Sequence, residues 1–438
     1  MKQPGDFSGV IGELVAGRWL DPHTGIKQTI PVESIVIADT LDGSEAELVH
    51  RVHPGKSLCV VSDQWTRAAL GERVFRALQP LGNVKEFVWE RPRITPDGLD
   101  ELMAGAGHAQ VVIAIGSGTI TDSTKYATFL GKREYSVFPT SPMNAYTTPT
   151  ASVSVGGFKK SITCHSAKGV FFDLSVVSKC PRRLIAAAFA DVVCRTTSQV
   201  DWLMSHLFFG TDYQDTAYTL LAYDEEPMMA NAAKVVAGDF EALAMLTRIA
   251  AIMGLGTSFT GTTHSGSMAE HMISHYIDMF AGDAHRGTSH GEQVGVATLT
   301  MSRLQNQILG KGQPPPTLRP TEIPTAELRA RFGAQADEMI EQSRRKALDA
   351  AKADALNQRL QRDWPEIAGQ LRAVMLPYQK LRNAMEIAGC PQTGAALGLP
   401  PEFYRDAVRY ARFIRDRFSM LDVAGDSGQL EAFAETCL

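Results

Sequence analysis

Apolar and polar positions divide the chain into two regimes. Between residues 34 and 139, short β-branched runs alternate with helical patterns. The runs at 34–38, 56–62, 84–89, 110–115 and 135–139 predict strands, and the periodicity at 43–52, 66–78, 95–106 and 118–130 predicts helices. Alternation at this spacing implies βαβ units and a parallel sheet. Lys159, Lys160 and Lys168 follow on a pattern that reads as a β-hairpin. From about Pro181 the strand runs stop. Helical stretches then fill 182–209, 212–225, 228–254, 267–280, 291–309, 326–343, 344–376 and 401–421. The expected architecture is an α/β domain with a parallel sheet over residues 1–182 and an all-α domain over 183–438. The Pro-rich stretch 310–324 reads as a surface connector.

Composition narrows the function classes. A length of 438 residues favours two domains. With 44% hydrophobic and 21% charged residues this is ordinary globular usage. A net charge of −5 leaves no electrostatic footprint for nucleic acid. The six cysteines are scattered without a CxxC pair, which fits thiols in a reducing compartment. No uninterrupted apolar stretch reaches the roughly 20 residues a bilayer needs, and the N-terminus lacks a signal-peptide layout. A cytoplasmic protein without membrane insertion is expected, with a homo-oligomer left open.

The chemistry concentrates between Gly266 and Thr298, where four of the 11 histidines (His271, His275, His285, His290) and three carboxylates (Glu270, Asp278, Glu292) fall together. His271 and His275 lie one helical turn apart and point the same way. A third histidine after a glycine-containing turn completes a pattern that suits a divalent metal; the plain alternative is a solvated helix face. Asp191 sits in the apolar run "AAAFADVVC" and needs a partner, either Arg195 one turn on or a metal. In the sheet region, ligands are expected at the carboxyl ends of the strands. "GSGTITD" (Gly116–Asp122) follows the fourth strand and has the glycines and helix start of a phosphate turn, without the third glycine of the dinucleotide fingerprint. Thr119 and Asp122 also have plain capping-box spacing. Asp63 after the second strand could accept from ribose hydroxyls or form a turn. The polar run "PTSPMNAYTTPTASVS" after the fifth strand could line a cleft or be a surface loop.

Several of these pieces occur together in a known family. The chain resembles the glycerol-1-phosphate dehydrogenases, within the superfamily of metal-dependent (iron-containing) alcohol dehydrogenases and dehydroquinate synthases. The matching stretches are "VVSDQWT", "GSGTITD", "FPTSP", "FADVVCRTTSQVDW", "SGSMAEHMISHYID", "HGEQVGVAT" and the closing "FIRDRFSMLDVAGDSG". The resemblance implies a Rossmann-like domain binding NAD or NADP, then a helical domain carrying a divalent metal, with zinc favoured over iron or nickel. It puts Asp191, His271 and His290 on the metal. It puts Gly116, Ser117, Gly118, Thr119 and Asp122 on the pyrophosphate, Asp63 on the adenosine side, and Thr140 and Ser141 on the nicotinamide side. His275 is left as a proton carrier, Lys160 and Arg195 as contacts to a substrate phosphate, and Asn144 and Tyr146 as substrate neighbours. One departure stands out: the family's Asp-Gly pair is missing from the 143–152 loop, which reads "MNAYTTPTAS".

The resemblance therefore implies an NAD(P)-linked oxidoreductase for a small, phosphorylated polyol or alcohol and its ketone. The sheet-bound nicotinamide would face the metal-bound oxygen across an interdomain cleft. A dehydroquinate synthase-like lyase is the alternative, requiring a denser set of basic residues near the metal than Lys159, Lys160, Lys168 and Arg195. A cofactor-binding protein that has lost catalysis is a third reading.

Overall fold

The computed structural model describes residues 5–155, 158–285 and 287–436. By internal contacts it forms two units, Met1–Ala188 with Asp215–Thr262, and Phe189–Gln214 with Thr263–Leu438. The boundary expected after residue 182 thus lies near the first crossing, but residues 215–262 return to the first unit. The reason is local. The Phe240–Thr260 helix is apolar almost all round, and glycines let neighbouring backbone come close: a Cβ on Gly254 would lie 2.5 Å from the carbonyl oxygen of Asn144. Thr147 Oγ1 also donates to Ala251 O at 2.7 Å. That helix is long and apolar enough to cross a bilayer by length and composition, yet 78% of its apolar window is buried inside the fold.

The first unit carries a six-stranded parallel sheet in the order β1-β8-β5-β4-β2-β3. Its strands are β1 (Ser34–Ala38), β2 (Leu58–Ser62), β3 (Val84–Val88), β4 (Val111–Gly116), β5 (Glu134–Pro139) and β8 (Gly169–Asp173). The antiparallel hairpin β6 (Thr150–Val155) and β7 (Phe158–Thr163) lies where the lysine-bearing hairpin was expected. All six residues of β4 and all five of β2 and β8 are buried, as parallel strands covered on both faces must be. β8 has no counterpart among the predicted strands. It is five residues long, follows directly on the hairpin, and shows no period that separates it from a buried helical turn.

Chain direction explains where a ligand fits on this sheet. From β2 the chain passes to β3 on one side, then returns to place β4 on the other side of β2. The order of winding reverses between β2 and β4, and the crevice at their carboxyl ends is the switch point of the sheet. Asp63 follows β2 and Gly116 closes β4, so the two predicted cofactor loops flank that crevice.

The second unit is helical. The predicted run 182–209 divides at Val193 and Cys194 into helices Arg182–Val192 and Arg195–Phe209. Ala269–Phe280 and His290–Leu309 match their predicted helices to within a residue or two and pack against each other. The predicted run 344–376 starts later, at Ala350, and Tyr378–Ala388 adds a helix that the pattern did not show.

Candidate metal centre and dinucleotide turn

Within the second unit, three residues separated by up to 99 positions in sequence meet. Asp191 lies in the last turn of the Arg182–Val192 helix, His271 on the first turn of Ala269–Phe280, and His290 opens His290–Leu309. One donor atom from each lies within 4.8 Å of the others. Asp191 Oδ1 stands 3.8 Å from His271 Nε2 and 4.0 Å from His290 Nε2. These separations are too long for hydrogen bonds and suit three ligands around one ion. Burial pushes the Asp191 carboxyl above its usual range, opposed by His271 and reinforced by Glu270. A buried carboxylate in that position gains from a nearby cation.

Neighbouring side chains settle which ring nitrogen each histidine offers. Glu270 is fully buried, and its Oε1 accepts from Met268 N at 2.6 Å and from His271 Nδ1 at 3.0 Å. The Nδ1 hydrogen is committed there, so the Nε2 lone pair is directed at Asp191. Ser274 Oγ donates to Gln293 Oε1 at 2.9 Å and therefore accepts from His290 Nδ1 at 3.2 Å. The second imidazole is fixed in the same tautomer by a neutral partner. This is the second-layer support that metal-binding histidines require. Cys194, Glu270 and His271 form a second cluster of possible ligand atoms. Burial raises the Cys194 thiol far above its ordinary range, and Glu270 is engaged with His271, so the donor set led by Asp191 fits a divalent ion better.

Around these rings the remaining predicted residues fall as follows. His275 is buried, its ring centre 6.3 Å from that of His271 and 6.1 Å from that of His290. Its Nδ1 lies 3.0 Å from Arg415 Nη2. A guanidinium only donates, so Nδ1 accepts and the ring hydrogen resides on Nε2. That neutral tautomer makes His275 a hydrogen-bond donor on its other side, where the sequence suggested a proton carrier. Arg195 is buried and donates to Gln199 Oε1 at 2.5 Å. Asp278 Oδ1 lies 3.6 Å from His285 Nε2, and Glu292 Oε2 accepts from Ser289 N at 2.7 Å as part of a capping box.

The first unit differs. Gly116 has φ of 132°, and a Cβ there would sit 2.6 Å from Thr66 Cγ2, so no other residue fits without displacement. Ser117 caps the Gly118–Leu130 helix by accepting from Ile120 N, and Ser117, Gly118 and Thr119 keep partial or full exposure. Backbone amides and a helix start at a sheet switch point make an anion site. The side chains, however, are largely engaged. Asp63 Oδ1 accepts from Trp65 N at 2.9 Å and Thr66 N at 2.7 Å as a helix cap, the turn-forming alternative in the sequence.

Two further predicted residues spend polar groups within the protein. The Asp122 carboxylate takes Lys125 Nζ at 2.8 Å and Ser152 N at 3.1 Å. Lys125 is fully buried and also donates to Ala145 O and Thr150 O, so that ion pair staples the loop to the helix. Tyr146 is 0% exposed and its hydroxyl is 2.6 Å from Ser141 Oγ, which leaves neither side chain open to a ligand at that contact. Thr140 and Asn144 stay partly exposed, and Lys160 is exposed on β7, 5.9 Å over the Phe158 ring.

Known proteins resemble much of this chain. Residues 36–181 match the family model described as iron-containing alcohol dehydrogenase. A glycerol-1-phosphate dehydrogenase [NAD(P)+] of Halalkalibacterium halodurans is 30% identical over 254 residues, 56% of this chain and 64% of the relative. One of Geobacillus stearothermophilus is 25% identical over 413 residues, 90% of this chain and 92% of the relative. The chain is thus similar to iron-containing alcohol dehydrogenases over residues 36–181 and to glycerol-1-phosphate dehydrogenases over longer stretches. Among solved structures, a glycerol dehydrogenase of Schizosaccharomyces pombe superposes with a TM-score of 0.61 at 16% identity, covering 91% of this chain and 89% of that one, which establishes the shared fold. The alignment with the first of these relatives spans just under two thirds of that relative's length. The names of these relatives carry NAD(P), and Asp191, His271 and His290 are a donor set that could hold a metal ion.

The sequence reading missed Glu270, Ser274 and Gln293 as supports, and Lys125 as the staple. A carboxylate directly preceding a candidate ligand histidine was the available signal for Glu270. Arg415 and Arg417 were quoted within the closing motif without a role.

Proposed function

We propose that this chain is a metal-dependent, NAD(P)-linked dehydrogenase that interconverts a small phosphorylated polyol and its ketone, in the manner of a glycerol-1-phosphate dehydrogenase. The observation that carries the proposal is the convergence of one carboxylate and two tautomer-fixed imidazoles, Asp191, His271 and His290, within 4.8 Å. Those three would hold the ion; zinc suits a set of two nitrogens and one oxygen, with iron or nickel as alternatives. When bound, such an ion supplies Lewis-acid stabilisation of the oxygen on the carbon that exchanges hydride. The Gly116–Thr119 turn would bind the dinucleotide pyrophosphate through backbone N–H groups, with Thr140 beyond β5 toward the nicotinamide. His275 would donate from Nε2 to substrate. Asn144 would meet the polyol, whose selection must differ from that of enzymes with an acid in this loop.

Purified protein loaded with zinc should reduce dihydroxyacetone phosphate with steady consumption of NADH or NADPH. Tight cofactor binding without turnover of any small ketone would sink the proposal and leave a binding protein. One observation favours the lyase reading: Arg415 places a positive charge beside His275 that does not show in the spacing of basic residues along the sequence. Release of inorganic phosphate from a phosphorylated substrate without net NAD(P)H consumption would favour it.

A further inference from the structure

The first unit holds a cavity that neither the dinucleotide turn nor the metal cluster uses. Its volume is about 560 Å³, a size typical of small-molecule pockets. Thr29 and Pro31 form its exposed rim, and Ile30 and Pro149 give it apolar walls. Three polar side chains complete the lining: His165, Ser166 and Ser258. Residues 29–31 lead into β1, and residues 165–166 lead into β8, its neighbour in the sheet. Tyr135, near the start of β5, donates its hydroxyl to His165 O at 3.3 Å. The strands are parallel, so the cavity lies toward their amino ends, opposite the crevice flanked by Asp63 and Gly116.

The polar groups of this cavity are not spent on the protein. The hydroxyls of Ser166 and Ser258 are buried and have no hydrogen-bond partner among the described residues. On the Phe240–Thr260 helix, Thr247 and Thr260 bond the carbonyl four residues back at 2.8 and 2.9 Å, the usual resort of a helical hydroxyl. Ser258, on the same helix, does not. The orientation of His165 is equally definite. Thr128 Oγ1 donates to Thr124 O at 2.6 Å, so it accepts from His165 Nε2 at 2.9 Å and the Nδ1 lone pair is left over. The rings of Phe129 and Tyr135 pack against the imidazole at 5.9 and 5.1 Å between centres, and burial pushes it below its ordinary range, which keeps it neutral. None of the seven lining residues carries a carboxylate, ammonium or guanidinium. Phosphate and carboxylate ligands therefore find no counter-charge here. The apolar walls, in turn, offer water few partners.

We propose that this cavity binds a small, uncharged organic molecule that carries hydroxyl groups on an apolar frame. The hydroxyls exchange hydrogen bonds with Ser166 and Ser258 and donate to His165 Nδ1, and the frame rests on Ile30 and Pro149. The site is independent of the dehydrogenase reading, because it shares no residue with the metal cluster or the dinucleotide turn.

The test uses full-length protein and trans-1,2-cyclohexanediol, an uncharged diol on an apolar ring, titrated by saturation-transfer NMR. Ser166→Ala and Ser258→Ala should each weaken binding about 3- to 10-fold, the range for one neutral hydrogen bond. Ser258→Leu fills the space as well as removing the hydroxyl and should abolish binding. Melting temperature reports folding. If the leucine variant does not fold, the double variant Ser166→Ala with Ser258→Ala takes its place, with an expected loss of at least about 10-fold. His271→Ala, which removes a proposed metal ligand, should bind the diol as tightly as the parent, whether or not any alcohol is turned over. Absence of transfer to the diol in the parent overturns the proposal. Equal binding by the parent and the folded serine variants does so too, since that is the result of two purely structural hydroxyls. Loss of binding in His271→Ala puts the diol at the metal cluster and likewise overturns it.

Discussion

The proposed cofactor turn of the first unit and the proposed metal cluster of the second use their side chains in opposite ways. At the turn, Asp63, Ser117, Asp122, Ser141 and Tyr146 each spend a polar group on the protein itself, as a cap, an ion pair or a buried hydroxyl contact. What remains for a ligand is main chain, shaped by one glycine at φ 132°. At the cluster the side chains themselves converge, and Asp191, His271 and His290, each on a helix, bring one donor atom within 4.8 Å of the others. A diphosphate can be read by amides from any sequence that permits the backbone shape. A small, highly charged ion needs specific ligand atoms at defined separations. Substitution should therefore hurt the two regions unequally.

The sharpest separation is expected at a ligand. His271→Ala should empty the metal site by elemental analysis and reduce turnover on the order of 10³-fold, the scale of several kcal/mol of lost Lewis-acid stabilisation. Retained metal at full stoichiometry would break the assignment. Next comes the support beneath it. Glu270→Gln keeps the shape but removes the charge behind His271, and metal affinity measured by chelator competition should fall about 10- to 100-fold. In the first unit, Gly116→Ala strains the positive φ and meets Thr66, so stability should drop by about 1–3 kcal/mol. NADH affinity from fluorescence titration should weaken with it. A variant that melts and binds like the parent would show that the turn tolerates a side chain. The smallest effect is reserved for Asp63→Ala, which should lose a cap worth about 1 kcal/mol and change NADH affinity only slightly. A large affinity loss at unaltered stability would restore its adenosine-side role and erase the contrast between the regions.

Legibility in the sequence followed the same division. Repeating periodicity made the parallel sheet readable, and all five predicted strands lie within a residue or two of their observed bounds. β8 was hidden because a five-residue buried run carries no period. The histidine concentration pointed at the metal cluster, but Asp191 could be separated from a salt bridge only through the family resemblance. In the structure Asp191 Oδ1 stands 3.8 Å from His271 Nε2 and 4.0 Å from His290 Nε2, spacing that an ion shared by the three would fit. Asp122 raises a related point. A carboxylate in a glycine-rich stretch looks available until a buried lysine three residues on, which no periodicity marks as buried, is seen to hold it. Residues that act through others, such as Glu270 and Ser274, depend on ring orientation, and one-dimensional spacing does not encode that.

The route of the chain between the units constrains how this protein can be dissected. Asp191 belongs to the second unit, yet the 48 residues from Asp215 to Thr262 are built into the first before the chain comes back to supply His271 and His290. A single cut before Phe189 keeps all three candidate ligands but carries the 48 residues of the first unit with them. A ribosome must also have extended the polypeptide past residue 290 before those donors can assemble. Expressing the helical half alone would require joining Gln214 directly to Thr263, and metal uptake by that shortened chain would report whether it folds by itself.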